Sequence, residues 1–277
     1  MLRKLYYLLS PNLRLFARKL YYLPVDIYES ITGKRGKYEP KKGDIYIGSG
    51  DFVSQGHHQV DLLKKFIDLK VSDSVLDIGS GIGRTAIPLT TYLGNDGRYE
   101  GFDVVEKGVI WCNKTIKKDF PNFNFTYVAL NNDLYNNSLQ KAKEFTFPYQ
   151  DKEFDKSFLF SVFTHMQVED IDHYLAEIAR VTKSGGLCLA TFFLYDEQRE
   201  EAISNQANFN FPVKKDGYRL MDAQVKAANI AISMDKLNAM IEGNPLKIVK
   251  IVNGYWNAKV SKTNENTFQD VVIIKVN

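Results

Sequence analysis

Three glycines spaced two apart, Gly79, Gly81 and Gly83, follow the acidic residue Asp77 at the end of the aliphatic run Val75-Leu76-Asp77-Ile78. A bare glycine turn between a strand and a helix offers backbone N–H groups and a helix N-terminus to an anionic or nucleotide ligand. A Cβ there would hold the ligand off the backbone. About 20 residues further on, Asp103 sits at the end of a second strand, read over Arg98 to Val105, at the distance where a carboxylate can accept hydrogen bonds from ribose hydroxyls. A dinucleotide fingerprint would place its third glycine at position 84, which is Arg84, so hydride chemistry on a nicotinamide is disfavoured. His165 is the candidate general base, because imidazole titrates near neutrality and the residue follows the fourth strand-like run. A histidine that only bonds backbone at a helix start is the competing reading.

These residues need a parallel sheet with helices between its strands. Phe52 leads into a helix read over about 57–69, with His57 and His58 at its start and Val60, Leu63, Phe66 and Ile67 on one face. Val75–Ile78 is the first strand, and Thr85–Leu93 is compatible with a helix. The pattern then gives a strand ending at Asp103, a helix over 106–118, strand three over 123–130, and strand four over 154–161. A helix over 168–181, the turn Lys183-Ser184-Gly185-Gly186, and strand five over 187–193 follow. Residues 195–245 lack strand character apart from a helix near 234–241, and read as an insertion. Ile248–Val252 and Asp270–Val276 close the chain as an antiparallel pair.

The acidic-Gly-x-Gly-x-Gly loop, the placement of Asp103 and the later order of helix, Gly-Gly turn and strand resemble the class I S-adenosylmethionine-dependent methyltransferases over roughly Phe52 to Phe193. The resemblance implies an α/β Rossmann-like fold: a seven-stranded, mostly parallel sheet with helices on both faces and an antiparallel last strand. It implies S-adenosylmethionine as cofactor, held by Asp77, Gly79, Ser80, Gly81, Gly83, Arg84, Asp103, Val104, Leu130, Asn131 and Ser161. Where the family often has an acidic residue closing strand three, this chain has Ala129, with Leu130 and Asn131 next. Adenine recognition then falls to backbone groups or to Asn131 and Asn132. The insertion is where this fold usually carries a substrate cap, which makes Asp196, Tyr218 and Arg219 candidates for acceptor binding. The Asn-Pro-Pro-Tyr type of signature is absent, which points to a hydroxyl or amine of a small molecule: a sugar, lipid head group or secondary metabolite. A catalytically silent cofactor-binding protein, acting as partner or sensor, is the alternative.

Composition narrows this further. The net charge of +3 conceals ten Lys or Arg against three acids within residues 1–43, so the remainder is acidic and lacks a nucleic-acid footprint. Cys112 and Cys188 are isolated, which fits a reducing, cytoplasmic compartment and argues against a metal centre. Residues 1–50 read as a basic amphipathic extension, with 51–277 as the methyltransferase domain and 195–245 as its cap. Leu2, Leu5, Leu9, Leu13, Phe16 and Leu20 recur at helical steps, interrupted at Ser10-Pro11, where Pro11 can open a second helix. Helices packed on the domain as a lid or a homodimer contact, and a helix lying on an anionic membrane surface, both fit this pattern.

Overall fold

A computed structural model describes residues 10–48, 50–132, 138–206, 209–263 and 266–277. The helical reading of residues 1–9 and most of the polar run 131–137 therefore lie outside the described residues.

Helix α1 spans Pro11–Thr32, with the Ser10 hydroxyl capping the Leu13 N–H and Pro11 at its first turn. It continues well past Leu23, through Pro24, and ends at Gly33 in the left-handed conformation. Residues 42–44 form a 3-10 turn, and Ile45–Ile47 is irregular rather than a strand. Helix α2 covers Phe52–Ile67 with Asp51 as its N-cap. It begins five residues before the expected start, so His57 and His58 sit within it and neither caps it. The expectation passed over Asp51, whose carboxylate accepts from the Ser54 N–H at 2.8 Å.

Strand β1 (Ser74–Ile78) runs into the glycine turn. Helix α3 (Ala86–Leu89) is a single turn continued by loose turns to Tyr92, shorter than expected. Pro88 lies inside that segment and supplies no N–H to a helical ladder. Strand β2 (Arg98–Asp103), helix α4 (Glu106–Cys112) with a π-turn over Asn113–Lys117, and strand β3 (Phe123–Tyr127) follow. Strand β4 (Phe154–Leu159), helix α5 (Val168–Val181) and strand β5 (Thr182–Phe192) complete the parallel run.

The seven-stranded sheet has the order β10-β11-β5-β4-β1-β2-β3, with β10 at Leu246–Val252 and β11 at Asp270–Val276. All neighbours from β3 to β5 pair in parallel, and β11 runs against both β5 and β10. In the central strand β1, Leu76 and Ile78 pack into one core layer and Val75 into the other, as burial between two helical layers requires. One layer of core gathers Leu76, Phe102, Phe163, Ile171, Leu175 and Ile178 with helix α5. The other gathers Leu63, Ile67, Leu89, Tyr99, Cys112 and Phe158 with α2, α3 and α4.

The region after β5 corrects the expectation that 195–245 holds no strands. Short strands β6 (Leu194–Tyr195), β7 (Val213–Lys215), β8 (Tyr218–Leu220) and β9 (Ile230–Ser233) make a second sheet, ordered β6-β9-β8-β7. Helix α6 (Glu200–Asn205) and helix α7 (Met234–Glu242) flank it. Its hairpin turns on Asp216-Gly217, with Gly217 at φ 75° and Lys215 paired to Tyr218. That dipeptide is a hairpin signal in its own right, but strands of three or four residues are too short to show a period. Phe193, Tyr195, Ile203, Phe211 and Trp256 form an aromatic core beneath this sheet.

Candidate cofactor and acceptor site

The carboxyl ends of β1, β2 and β4 open on a cavity of about 650 Å³, a size usual for small-molecule sites. Gly79 turns the chain there at φ 82°, and a Cβ on it would come within 2.4 Å of Val162. Gly83 has a different duty: a Cβ there would strike Ile116 at 2.7 Å, so its absence lets the turn seat on the segment after α4. The Gly81 N–H donates to Asp103 Oδ2 at 2.8 Å, and the Val105 N–H donates to Oδ1 at 2.8 Å. Each carboxylate oxygen keeps a lone pair for a ligand hydroxyl. Burial pushes the Asp103 carboxyl up to about 6 despite those donors. Asp77 is also buried and receives the Tyr99 hydroxyl at 2.6 Å. Desolvation, with a smaller contribution from the Asp103 charge, pushes Asp77 up to about 7.

Arg84 reaches across the turn to donate to the Ile47 carbonyl and lies over the Phe52 ring. Its Nε is buried without a hydrogen-bond partner, and no carboxylate among the described residues forms an ion pair with it. Ser80 Oγ is likewise buried and unpaired. A buried guanidinium N–H and a buried hydroxyl without partners carry a desolvation cost that an incoming carboxylate would offset. Asp103 with its spare lone pairs, the open glycine turn and Arg84 thus match the sugar and amino-acid ends of a nucleoside bearing an amino-acid tail.

Of the residues expected at the cofactor, Asp77, Gly79, Ser80, Arg84, Asp103, Val104, Leu130, Asn131 and Ser161 line this cavity. Gly81 and Gly83 stand behind it, Gly81 bonded to Asp103 and Gly83 packed on Ile116. The side-chain amide of Asn131 donates to the Ser138 carbonyl at 2.6 Å, and that of Asn132 to the His165 carbonyl at 3.3 Å. Both amides thereby serve the loop as much as any ligand.

Ser161 ends strand four at φ 60°, a left-handed conformation uncommon for a residue with a Cβ. The Thr191 hydroxyl accepts its N–H at 2.7 Å, and its own hydroxyl donates to Gln269 Oε1 at 2.9 Å. Four residues on, His165 lines the cavity from a 3-10 turn. Its Nδ1 lies 2.7 Å from the Ala227 carbonyl, which can only accept, so Nδ1 carries the proton and Nε2 the lone pair of the neutral ring. This bond reaches into the inserted region and fixes both tautomer and ring orientation.

The acceptor candidates drawn from the insertion do not reach this cavity. The Arg219 guanidinium is buried against the Phe211 and Pro212 carbonyls and pairs with Glu200 at 3.0 Å, so it braces the second sheet. Asp196 caps the turn at Arg199, and Tyr218 belongs to the strand pairing of β8. In their place the far wall holds Phe193, Phe209, Phe268, Asn229 and Gln269, with Arg14 and Leu15 from α1 and Gln59 from α2. Composition could have hinted at Phe209 and Phe268 as aromatics in polar loops. Nothing local marks Arg14 or Gln59.

Residues 76–190 match the family model for the methyltransferase domain. Over that span the chain is similar to a class I methyltransferase domain. S-adenosylmethionine is the cofactor of that domain, and the unpaired groups described above fit it. Solved structures share the fold at low identity. A protein from Pyrococcus horikoshii OT3 aligns at TM-score 0.54 and 14% identity, covering 84% of this chain and 95% of that one. Geranyl diphosphate C-methyltransferase from Streptomyces coelicolor A3(2), solved with S-adenosyl-L-homocysteine, aligns at 0.51 and 14% identity, over 79% of this chain and 77% of that one. The [4+2]-cyclase SpnF aligns at 0.52 and 18% identity, over 85% and 74%. Identities this low speak for the fold alone, and the fold does not choose the acceptor.

Proposed function

We propose that this protein transfers a methyl group from S-adenosylmethionine to a hydroxyl or amine of a small, largely apolar molecule. The observation that carries the reading is the continuity of one cavity from the Asp103 carboxylate to His165 and on to the aromatic wall. When bound, the cofactor supplies a methyl carbon already activated for displacement. The chain's own residues bind and orient. Asp103 takes the ribose hydroxyls, Arg84 and Ser80 the amino-acid tail, and the backbone near Leu130 and Asn131 the adenine. Phe193, Phe209 and Phe268 exclude water and seat the apolar body of the acceptor, while Gln269, oriented by the Ser161 hydroxyl, offers its amide N–H groups to the acceptor's polar end. Alignment of nucleophile and methyl is the larger part of such catalysis. His165 removes the acceptor's proton through Nε2, the position its bond to Ala227 leaves as an acceptor.

Isotopically labelled cofactor incubated with a metabolite extract is the direct test: transfer of label to a small molecule is expected, and cofactor binding without transfer would favour a silent partner or sensor. Once an acceptor is in hand, His165→Gln should lower kcat by about 100-fold or more and remove the acidic limb of its pH profile, with cofactor affinity unchanged. An unaltered kcat would remove His165 from the chemistry.

A further inference from the structure

Helix α1 is amphipathic in the reverse of the usual sense. At 100° per residue, Leu13, Phe16, Leu20, Leu23, Ile27 and Ile31 form one stripe. All six are exposed, between 49% and 80%. The stripe is about 27 Å long. The opposite face carries the polar residues and turns inward. Asp26 is buried and accepts the Lys42 and Gly43 N–H groups at 2.7 and 3.0 Å, Glu29 pairs with Lys42 at 2.9 Å, and Arg14 is buried at the cavity. A helix held to its domain by its polar face leaves its apolar face for something else.

We propose that this stripe docks on an anionic phospholipid surface. Charge selects that occupant. Over residues 10–43 eight Lys or Arg accompany three acids. Asp26 is buried and Glu29, Glu39 and Lys42 are half-buried, whereas Lys19, Lys34, Lys37 and Lys41 are exposed. A second copy of the chain would bring together the like charges of Lys19 on the helix and of Lys34, Lys37 and Lys41 just beyond its end, whereas lipid phosphates complement them. Phe16, Tyr21 and Tyr28 are exposed on the same helix and suit the boundary between acyl chains and head groups. Among the described residues no helix is long and apolar enough to cross a membrane, so the contact is one of lying on the surface.

The test is flotation of the full chain with vesicles of phosphatidylcholine alone and of phosphatidylcholine with phosphatidylserine. Binding is expected to the second kind only, to weaken as added salt shortens the Debye length, and to fall by about tenfold for each of Leu20→Glu and Ile27→Glu. Both side chains point to solvent, and retained calorimetric binding of S-adenosylhomocysteine would show the variants folded. Equal partition of native chain and variants, or no binding to the anionic vesicles, would overturn the proposal. So would a native dimer that either variant converts to monomer without any vesicle binding. The readout needs no methyl transfer, so it stands or falls apart from the proposed reaction.

Discussion

The cavity wall under Asp103 and the wall around Phe193 are held by different forces over different spans of chain. The first is a run of backbone donors and carboxylates from two neighbouring strands, with the Gly81 and Val105 N–H groups fixing Asp103 from within 22 residues. The second is aromatic, assembled from residues 193, 209 and 268, whose rings meet at centroid separations of 5.0 to 5.9 Å. Hydrogen bonds fix where an invariant cofactor lies, since each bond is directional. Ring packing fixes a shape and tolerates change. A site that must hold one cofactor and select one acceptor can therefore alter its second wall without disturbing its first.

The sharpest way to break this contrast is at Asp103. Asp103→Ala removes the charged acceptors offered to the ribose, and the Kd for S-adenosylhomocysteine should rise about 10- to 100-fold by calorimetry. Because burial places this carboxyl at about 6, affinity of the native protein should fall as pH drops below that value and the acceptor becomes protonated. The variant should lose that part of the pH dependence. Equal affinity in both proteins would show that the ribose is held elsewhere.

Phe209→Ala probes the other wall. Phe209 is half-buried, packs edge-on to Phe193 and Phe268, and lines the cavity. Acceptor KM should rise by up to about tenfold, the cost of losing part of an apolar contact, while cofactor affinity stays put. A variant that weakens both ligands alike would mean that the two walls move as one.

The same contrast governs how far the sequence could be read. Asp77, Gly79 and Asp103 stand close in the chain and answer to local rules: a strand's end, a positive φ, a carboxylate facing a turn. The parallel order of β1 to β5 follows from alternating strands and helices, and the span of β11 was legible residue for residue. Arg14, Gln59, Phe209 and Gln269 were not, because only tertiary folding brings them to one cavity from helices and loops with no local signature. Arg219 misled for a related reason. An arginine in an insertion looks like a ligand group until the carbonyls of Phe211 and Pro212 and the carboxylate of Glu200 are found around it. Helix α1 stayed open between two readings because its period marks an apolar face without saying whether that face turns in or out.

The smallest expected effect tests the electrostatic side from within. Asp77 ionises near 4 in an unfolded chain and near 7 in the fold, because burial resists its charge. The folded state therefore holds a proton that the unfolded state releases between those values. Stability from this group is full below about pH 4, declines as pH rises, and reaches its floor above about pH 7. Asp77→Asn cannot ionise but can still accept the Tyr99 hydroxyl through its amide oxygen. Its Tm, measured without cofactor, should match the native protein near pH 4 and exceed it by roughly a few degrees at pH 8. The gain should come with weaker binding of S-adenosylhomocysteine, as expected where a site keeps a charge the fold would shed. A Tm difference that is the same at both pH values would mean that Asp77 does not titrate with folding.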